Sequence, residues 1–322
     1  METSEARSQA WSRYWATGAE HSCAGSFSLT GAGALADFWR GTFAGCGPDA
    51  CIVDLGTGNA GLLKLAWDLL PAGHAARLFG IDLSRPAPGW IDEGVHGDRI
   101  RIIGETPMEA TGLPGASVDL LVSQFGIEYA KRGRVQAECL RLLDETGRIA
   151  FVIHHADSVI THVAREEVEA IAFLLADDGL LAAASALLPH MADAKAGQAA
   201  TSAAFQARDR FNHMLEQGGR MAQASSSPEL LTQAAAGIRQ FLSVVERGNL
   251  VSLQRQLDAY RGELRLASTR SAEQVACAMD ADQLADFMQP FRDAGMTVAA
   301  TALRESGQLI GWAVEGGYTA SS

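Results

Sequence analysis

Short apolar runs separated by amphipathic stretches set the plan of this chain. Five of them read as strands: 51–55, 77–82, 99–103, 118–125 and 148–154. Several are apolar and β-branched without alternation, as strands covered on both faces of a parallel sheet require. The stretch 130–143 has helical spacing, and Asp144, Glu145, Thr146 and Gly147 read as the turn into the next strand. Strand and helix in alternation predict a doubly wound α/β domain with a mostly parallel sheet.

The texture changes after His155. From 157 to 280, Ile160, Val163, Val168, Ile171 and Leu174 recur at helical spacing, and Ile238, Phe241, Leu242 and Val245 form a second stripe. Leu250, Leu253, Leu257, Tyr260 and Leu264 step by three or four residues, a short heptad-like seam. Breaks are expected at Pro189, at Gly218 and Gly219, at 225–228 and at Gly248, which divides the region into four to six helices. The tail returns to α/β texture, with a helix over 282–292 and strands over 296–303 and 309–314 joined by a turn at 305–308. The expected division is an N-terminal helical cap over 1–48, a core from 49–156 and 281–322, and a helical insertion over 157–280. That insertion serves as a lid or as a dimer surface, and the seam suits both.

Composition and charge narrow the partners. Hydrophobic residues make up 48% and charged residues 20%, a globular balance. The net charge of −12 opposes encounter with nucleic acid and with anionic membranes, so a small-molecule substrate is favoured. Cys23, Cys46, Cys51, Cys139 and Cys277 are odd in number and make no C-x-x-C pair. They read as reduced thiols of a cytoplasmic protein. The first residues lack a basic start and an apolar core, and no apolar run reaches 18 residues, so neither a signal peptide nor a membrane span is expected.

The densest chemistry lies in Val53-Asp54-Leu55-Gly56-Thr57-Gly58-Asn59-Ala60-Gly61, between a strand and a helix start. Glycines let backbone approach a ligand, and a helix N-terminus offers free N–H groups and a positive dipole end. Gly56, Gly58 and Gly61 also fit the dinucleotide spacing, with Asp82 21 residues beyond Gly61, so an NAD(P)-dependent oxidoreductase is one reading. Against it stand Asp54, placed where a dinucleotide turn carries an apolar residue, and the antiparallel hairpin at the end of the chain.

Those features resemble the class I S-adenosylmethionine-dependent methyltransferases, over residues 51–155 and 281–317. The resemblance implies a seven-stranded, Rossmann-like sheet with S-adenosyl-L-methionine as cofactor and S-adenosyl-L-homocysteine as product. Asp54, Gly56, Thr57 and Gly58 match the motif that wraps the methionine part. Asp82, with Leu83 after it, matches the acid on the ribose hydroxyls. Glu109 and Ala110, just before Leu113 and Pro114, match the pair at the adenine edge, with Glu105 as the other placement. Ala60 stands where the family has its third glycine. The run from Ser117 to Phe125 matches the fourth strand, which brings Gln124 to the cofactor and to the start of the substrate side.

Methyl transfer from a sulfonium is a direct displacement, so the protein chiefly orients the acceptor and excludes water. Gln124, Glu128 and Tyr129 sit where the methyl group would point, to orient an acceptor, hold a cationic amine, and pack or donate a bond. His154, at the end of the fifth strand beside His155, is a candidate base. The segment 124–129 lacks the Asn-Pro-Pro-aromatic signature of nucleobase methylation. No metal site is expected, and His162 belongs to no specific ligand spacing. Trp11, Tyr14 and Trp15 precede the first strand, and Tyr14 is a candidate shield over the sulfonium. A protein that binds the cofactor without catalysis, for assembly or regulation, is the other reading.

Overall fold

The computed structural model describes residues 4–19, 32–71 and 73–318. Cys23 lies outside the described residues. In chain order the elements are α1 (Ser4–Trp15), α2 (Ala34–Ala44), β1 (Cys51–Leu55), α3 (Gly61–Leu69), β2 (Arg77–Ile81), α4 (Glu93–His96), β3 (Ile100–Ile103), β4 (Val118–Gln124), α5 (Arg132–Leu142) and β5 (Leu143–Ile153). Five long helices follow: α6 (Val159–Leu175), α7 (Leu180–Lys195), α8 (Ser202–Ala224), α9 (Glu229–Val244) and α10 (Leu250–Cys277). The chain then closes with α11 (Ala281–Asp293), β6 (Met296–Glu305) and β7 (Gln308–Tyr318). It divides into two compact units, Met1–Thr161 with Glu273–Ser322, and His162–Ala272. The inserted unit is thus shorter than the 157–280 read from sequence, and the N-terminal helices belong to the first unit.

The first unit holds one seven-stranded sheet in the order β3-β2-β1-β4-β5-β7-β6. The first five strands are parallel, and β7 runs antiparallel to both β5 and β6. This is the sheet that the resemblance implied. Every residue of β1 is buried, yet successive side chains feed different cores. Ile52 packs with Trp39, Phe43, Leu63 and Leu120 on one side. Val53 and Leu55 pack with Leu121, Phe151, Phe287 and Phe291 on the other. Burial of each such side chain contributes roughly 1.5–3 kcal/mol, so the double cover by α2, α3, α5 and α11 explains why these strands lack polar alternation.

Some local readings change. The residues Asp144–Gly147 do not end in a free turn: β5 already begins at Leu143, which pairs with Val118, and the register shifts before Leu120 meets Arg148. A bulge absorbs the polar residues without leaving the sheet. Pro189 lies inside α7, and Gly218 and Gly219 lie inside α8. A Cβ on Gly218 would sit 3.1 Å from Cε1 of Phe173, so this glycine makes room for a ring of the neighbouring helix. The breaks at 225–228 and at Gly248 are present. In the former, the Glu166 carboxylate accepts bonds from the hydroxyls of Ser225 and Ser226 and from the amide of Ser227.

The second unit is built from helices around one core that includes Ile171, Leu174, Leu188, Phe211, Ile238 and Leu242. Leu253, Leu257 and Leu264 are buried in that same core. The seam is therefore satisfied by the chain's own helices, and it is not a free surface for a second copy. The stretch Val159–Lys195 contains an 18-residue window of mean hydropathy 1.8, which meets the composition of a membrane span, with half of that window buried. It is divided at 176–179 into helices of 17 and 16 residues. Leu257→Ala should destabilise this unit by roughly 2–5 kcal/mol, as deletion of a fully buried leucine does. Denaturant unfolding followed by circular dichroism measures it, and an unchanged midpoint would show that the seam faces solvent.

Candidate functional site

The carboxyl ends of β1, β2 and β4 meet where the strand order reverses, the position at which open α/β sheets bind ligands. The turn after β1 is shaped by left-handed backbone at Gly56 (φ 75°), Gly58 (φ 51°) and Ala60 (φ 58°). Ala60 stands where the family glycine would fall and still adopts that conformation. The amides of Gly56 and Thr57 both donate to Ile81 O, at 2.8 and 3.0 Å, fastening the turn to β2. A Cβ on Gly56 would lie 3.0 Å from Cα of Gly126, so the two backbones touch across the switch point. Ser123 ties them further: its hydroxyl donates to Leu55 O (2.6 Å) and accepts from the amide of Ile127 (2.9 Å).

Two carboxylates organise this turn differently. Asp54 is buried beneath it, and its Oδ2 accepts from the Thr57 hydroxyl at 2.7 Å. Burial pushes its carboxyl up to about 7, against the pull of the Thr57 bond and with a smaller push from Asp82. The structure thus gives Asp54 and Thr57 to each other. Asp82 follows β2. Its Oδ2 accepts from the Gly58 amide (2.8 Å), and its Oδ1 accepts from the amide (2.8 Å) and hydroxyl (2.5 Å) of Ser84.

Helix α1 lies along these strand ends. The Ser8 hydroxyl donates to Leu83 O (3.1 Å), and the Arg85 amide donates to the Ser12 hydroxyl (3.1 Å). A Cβ on Gly58 would lie 2.5 Å from Cζ2 of Trp15, so the indole rests on the glycine turn. Asn59 holds the helix end through its side-chain amide, which donates to Trp15 O and Ala19 O. Trp11 stacks on Trp15 with centroids 5.7 Å apart, and Tyr14 stands edge-on to both. The three early aromatics form one layer, and within it Trp15 rests on the turn.

Beyond β3, Glu109 Oε1 accepts from the Lys131 amide (2.9 Å), while Glu105 makes an exposed ion pair with Arg85 at 2.8 Å. Ala110 is exposed. Met108, which the sequence did not single out, reaches the same point as Gly56. Gln124 is half-buried, and its Oε1 accepts from the Trp39 indole N–H at 2.6 Å. This bond commits one end of Gln124 to α2.

The ends of β4 and β5 carry the remaining candidates together. Phe125 has a left-handed backbone (φ 52°), a strained state for a bulky residue. Its ring stacks on His154 at 4.4 Å between centroids, and Tyr129 stands edge-on to His154 at 6.2 Å. His154 is fully buried, and burial lowers its imidazole to about 3, so it is neutral across the physiological range. Glu128 is buried as well, and its Oε1 accepts from the His154 amide at 2.8 Å. Burial pushes the Glu128 carboxyl up to about 7, with backbone amides pulling the other way. His155 leaves this corner and stacks on Trp312 at 4.3 Å.

The structure also recruits residues that local sequence reasoning missed. Arg7 Nε donates to Glu273 Oε1 at 2.6 Å, and its Nη1 donates to Tyr129 O at 3.0 Å. A separation of 266 positions between Arg7 and Glu273 leaves no sequence signal. Among the described residues, no three His, Cys, Asp or Glu side chains group to hold a metal ion. His162 pairs with Glu166 one helical turn away at 3.2 Å.

Residues 53–151 match the family described as "Methyltransferase domain". Among solved structures, the geranyl diphosphate C-methyltransferase of Streptomyces coelicolor A3(2) is 22% identical over 37% of this chain and 45% of its own, with a TM-score of 0.32. An S-adenosylmethionine-dependent methyltransferase of Mesorhizobium loti is 23% identical over 40% and 56%, with a TM-score of 0.33. The 1,6-didemethyltoxoflavin-N1-methyltransferase of Burkholderia thailandensis is 17% identical over 49% and 67%, with a TM-score of 0.37. The chain spans less than half the length of the geranyl diphosphate methyltransferases that it matches. No curated protein matches it.

The buried Asp54 carboxyl generates a pH prediction. Its folded value is raised above its unfolded one, so its stabilising protonated form is fully present below about 4 and is lost as pH rises through about 7. Relative to an Asp54→Asn variant, the native chain should lose on the order of a few kcal/mol between pH 4 and 7.5. Chemical unfolding of both at the two pH values checks this. A constant difference between them would place the Asp54 carboxyl in water.

Proposed function

We propose that the chain transfers a methyl group from S-adenosyl-L-methionine to a small-molecule acceptor, a reading supported by the match of residues 53–151 to the methyltransferase domain family and by the order of the seven-stranded sheet. The observation that carries the reading is the cross-tied pair of turns at the switch point, with the Asp82 carboxylate set between Gly58 and Ser84. Each carboxylate oxygen accepts two hydrogen bonds. Oδ2 of Asp82 has one position left, and rotation of the Ser84 hydroxyl opens another on Oδ1. Two ribose hydroxyls need those two positions. Leu83 follows Asp82 in the chain, Met108 reaches Gly56, Glu109 and Ala110 come next after it, and the Gly56–Gly58 turn and Gln124 would border the methionine side. Trp15 closes the same edge from α1, with Tyr14 in the layer behind it. The residues present therefore fit the cofactor.

When bound, the sulfonium supplies an activated methyl group, and the chain's own residues have to position the acceptor and keep water away. Phe125, Tyr129 and Trp11 wall the end of β4 with apolar surface. Gln124 orients through its remaining amide hydrogens. Glu128 provides a carboxyl raised to about 7, able to take a proton near neutral pH, whereas His154, the base candidate of the sequence, is lowered to about 3 by burial and offers a neutral imidazole for hydrogen bonding instead. An anionic chain of this composition suits a small acceptor better than nucleic acid. The four described cysteines are free thiols, in keeping with a cytoplasmic setting.

Calorimetry with S-adenosyl-L-homocysteine tests the cofactor assignment. The native chain should bind it and show no heat with NADH, and Asp82→Ala should weaken binding at least tenfold, about 1.4 kcal/mol or more. Equal affinity in the variant would overturn the assignment. Binding of NADH alone would return the glycine turn to a dinucleotide.

A further inference from the structure

Glu128 Oε2, Glu273 Oε2 and both ring nitrogens of His154 are buried side-chain atoms without a hydrogen-bond partner. An unmade bond on a buried polar atom costs about 1–3 kcal/mol, so several at one place need an explanation. These atoms are held in one corner of the first unit. The Glu128 carboxylate grips the His154 amide through Oε1. The Arg7 guanidinium spans from Glu273 Oε1 to the carbonyl of Tyr129, the residue after Glu128. Cys277, one helical turn beyond Glu273 on α10, feels the charges of both Glu128 and Glu273. Phe125 and Trp11 complete the walls, face-on to His154 and edge-on to Tyr129.

Unpartnered acceptors outnumber donors in this corner. Two carboxylate oxygens and the acceptor nitrogen of a neutral imidazole seek donors, against a single imidazole N–H that seeks an acceptor, while Arg7 is committed to Glu273 and to a backbone carbonyl. A phosphate or carboxylate ligand would bring further acceptors and like charge. An ammonium has three donors, no acceptor and affinity for aromatic faces. Resting on the methyl-transfer reading, we propose that the acceptor is an amine, held between Glu128 and Glu273, with Glu128 taking its proton. Glu273 is then a specificity-determining residue contributed by α10, and Arg7 positions it.

The proton passes from the ammonium nitrogen to Glu128 Oε2: an N–H bond breaks, an O–H bond forms, and the lone pair stays on nitrogen. That lone pair forms the new N–C bond as the methyl group leaves sulfur with the S–C electron pair retained there, and the product is a methylated ammonium. A Glu128 carboxyl raised to about 7 by burial suits a proton acceptor near neutral pH.

Calorimetry on the full chain separates the possibilities. Affinity for S-adenosyl-L-homocysteine is measured first, and the saturated protein is then titrated with benzylamine, benzyl alcohol and benzoate. Benzylamine should bind at least tenfold more tightly than either of the others. Glu273→Gln should cut its affinity about tenfold and shrink its advantage over benzyl alcohol, leaving S-adenosyl-L-homocysteine affinity within twofold. Glu128→Gln should do the same, and it carries the test if thermal melting shows Glu273→Gln to be unfolded. Benzoate binding as tightly as benzylamine, or native benzylamine affinity in both variants, would overturn the amine subsite while the cofactor assignment stands. A native chain that fails to bind S-adenosyl-L-homocysteine would remove the parent reading, and the subsite with it.

Discussion

The contact of Gly56 with Gly126 is the constraint around which the first unit is arranged. Two polypeptide backbones meet there with no side chain between them, at the only kind of place where a parallel sheet changes direction. Glycine at both positions is a steric requirement. A Cβ on Gly126 would stand 2.8 Å from Leu55 O, and one on Gly56 would press on Gly126 itself. The Ser123 hydroxyl then ties the two together, donating to β1 and accepting from the loop after β4. With that junction closed, Asp82 is drawn to Gly58, and Phe125 is driven into the left-handed conformation that presses its ring on His154.

Burial is the second determinant, and it acts on chemistry as much as on stability. Asp54 and Glu128 are both pushed to about 7, but their surroundings give them different uses. Asp54 accepts the hydrogen bond of the Thr57 hydroxyl beneath the turn. Glu128 anchors one oxygen to the His154 amide and leaves the other in the aromatic corner. The same low-dielectric surroundings keep His154 neutral. Groups of opposite response to burial thus come to rest side by side, which is the arrangement acid–base sites use.

Much of the sheet was legible because its strands are covered on both faces, and uninterrupted runs such as Cys51–Leu55 cannot be read as half-exposed ones. The terminal hairpin was legible from its turn at Ser306 and Gly307, both with positive φ. Local signals failed where tertiary contact decided the outcome. Pro189 and Gly218 look like helix breakers, but α7 and α8 run through them, and Gly218 is explained only by a ring from α6. The seam at Leu253 and Leu257 was visible as a seam, while its partner was not, because periodicity says that a stripe is covered and is silent on what covers it. In the site, motifs around the glycine turn were readable from spacing. Arg7 and Glu273 were not, since a pairing across the whole chain leaves no pattern in either neighbourhood.

The bond from the Gln274 side chain to Ile160 O, 3.2 Å long, places the departure and the return of the long helical excursion next to one another in the first unit. A module joined through two adjacent strands of chain behaves as a graft. It can grow, shrink or be exchanged without altering the order of a single β-strand, because the stump is already closed by its own hydrogen bond. The sheet and the inserted helices are thereby free to change at different rates, and a short linker from Ile160 to Gln274 is the natural way to prune the chain to its core.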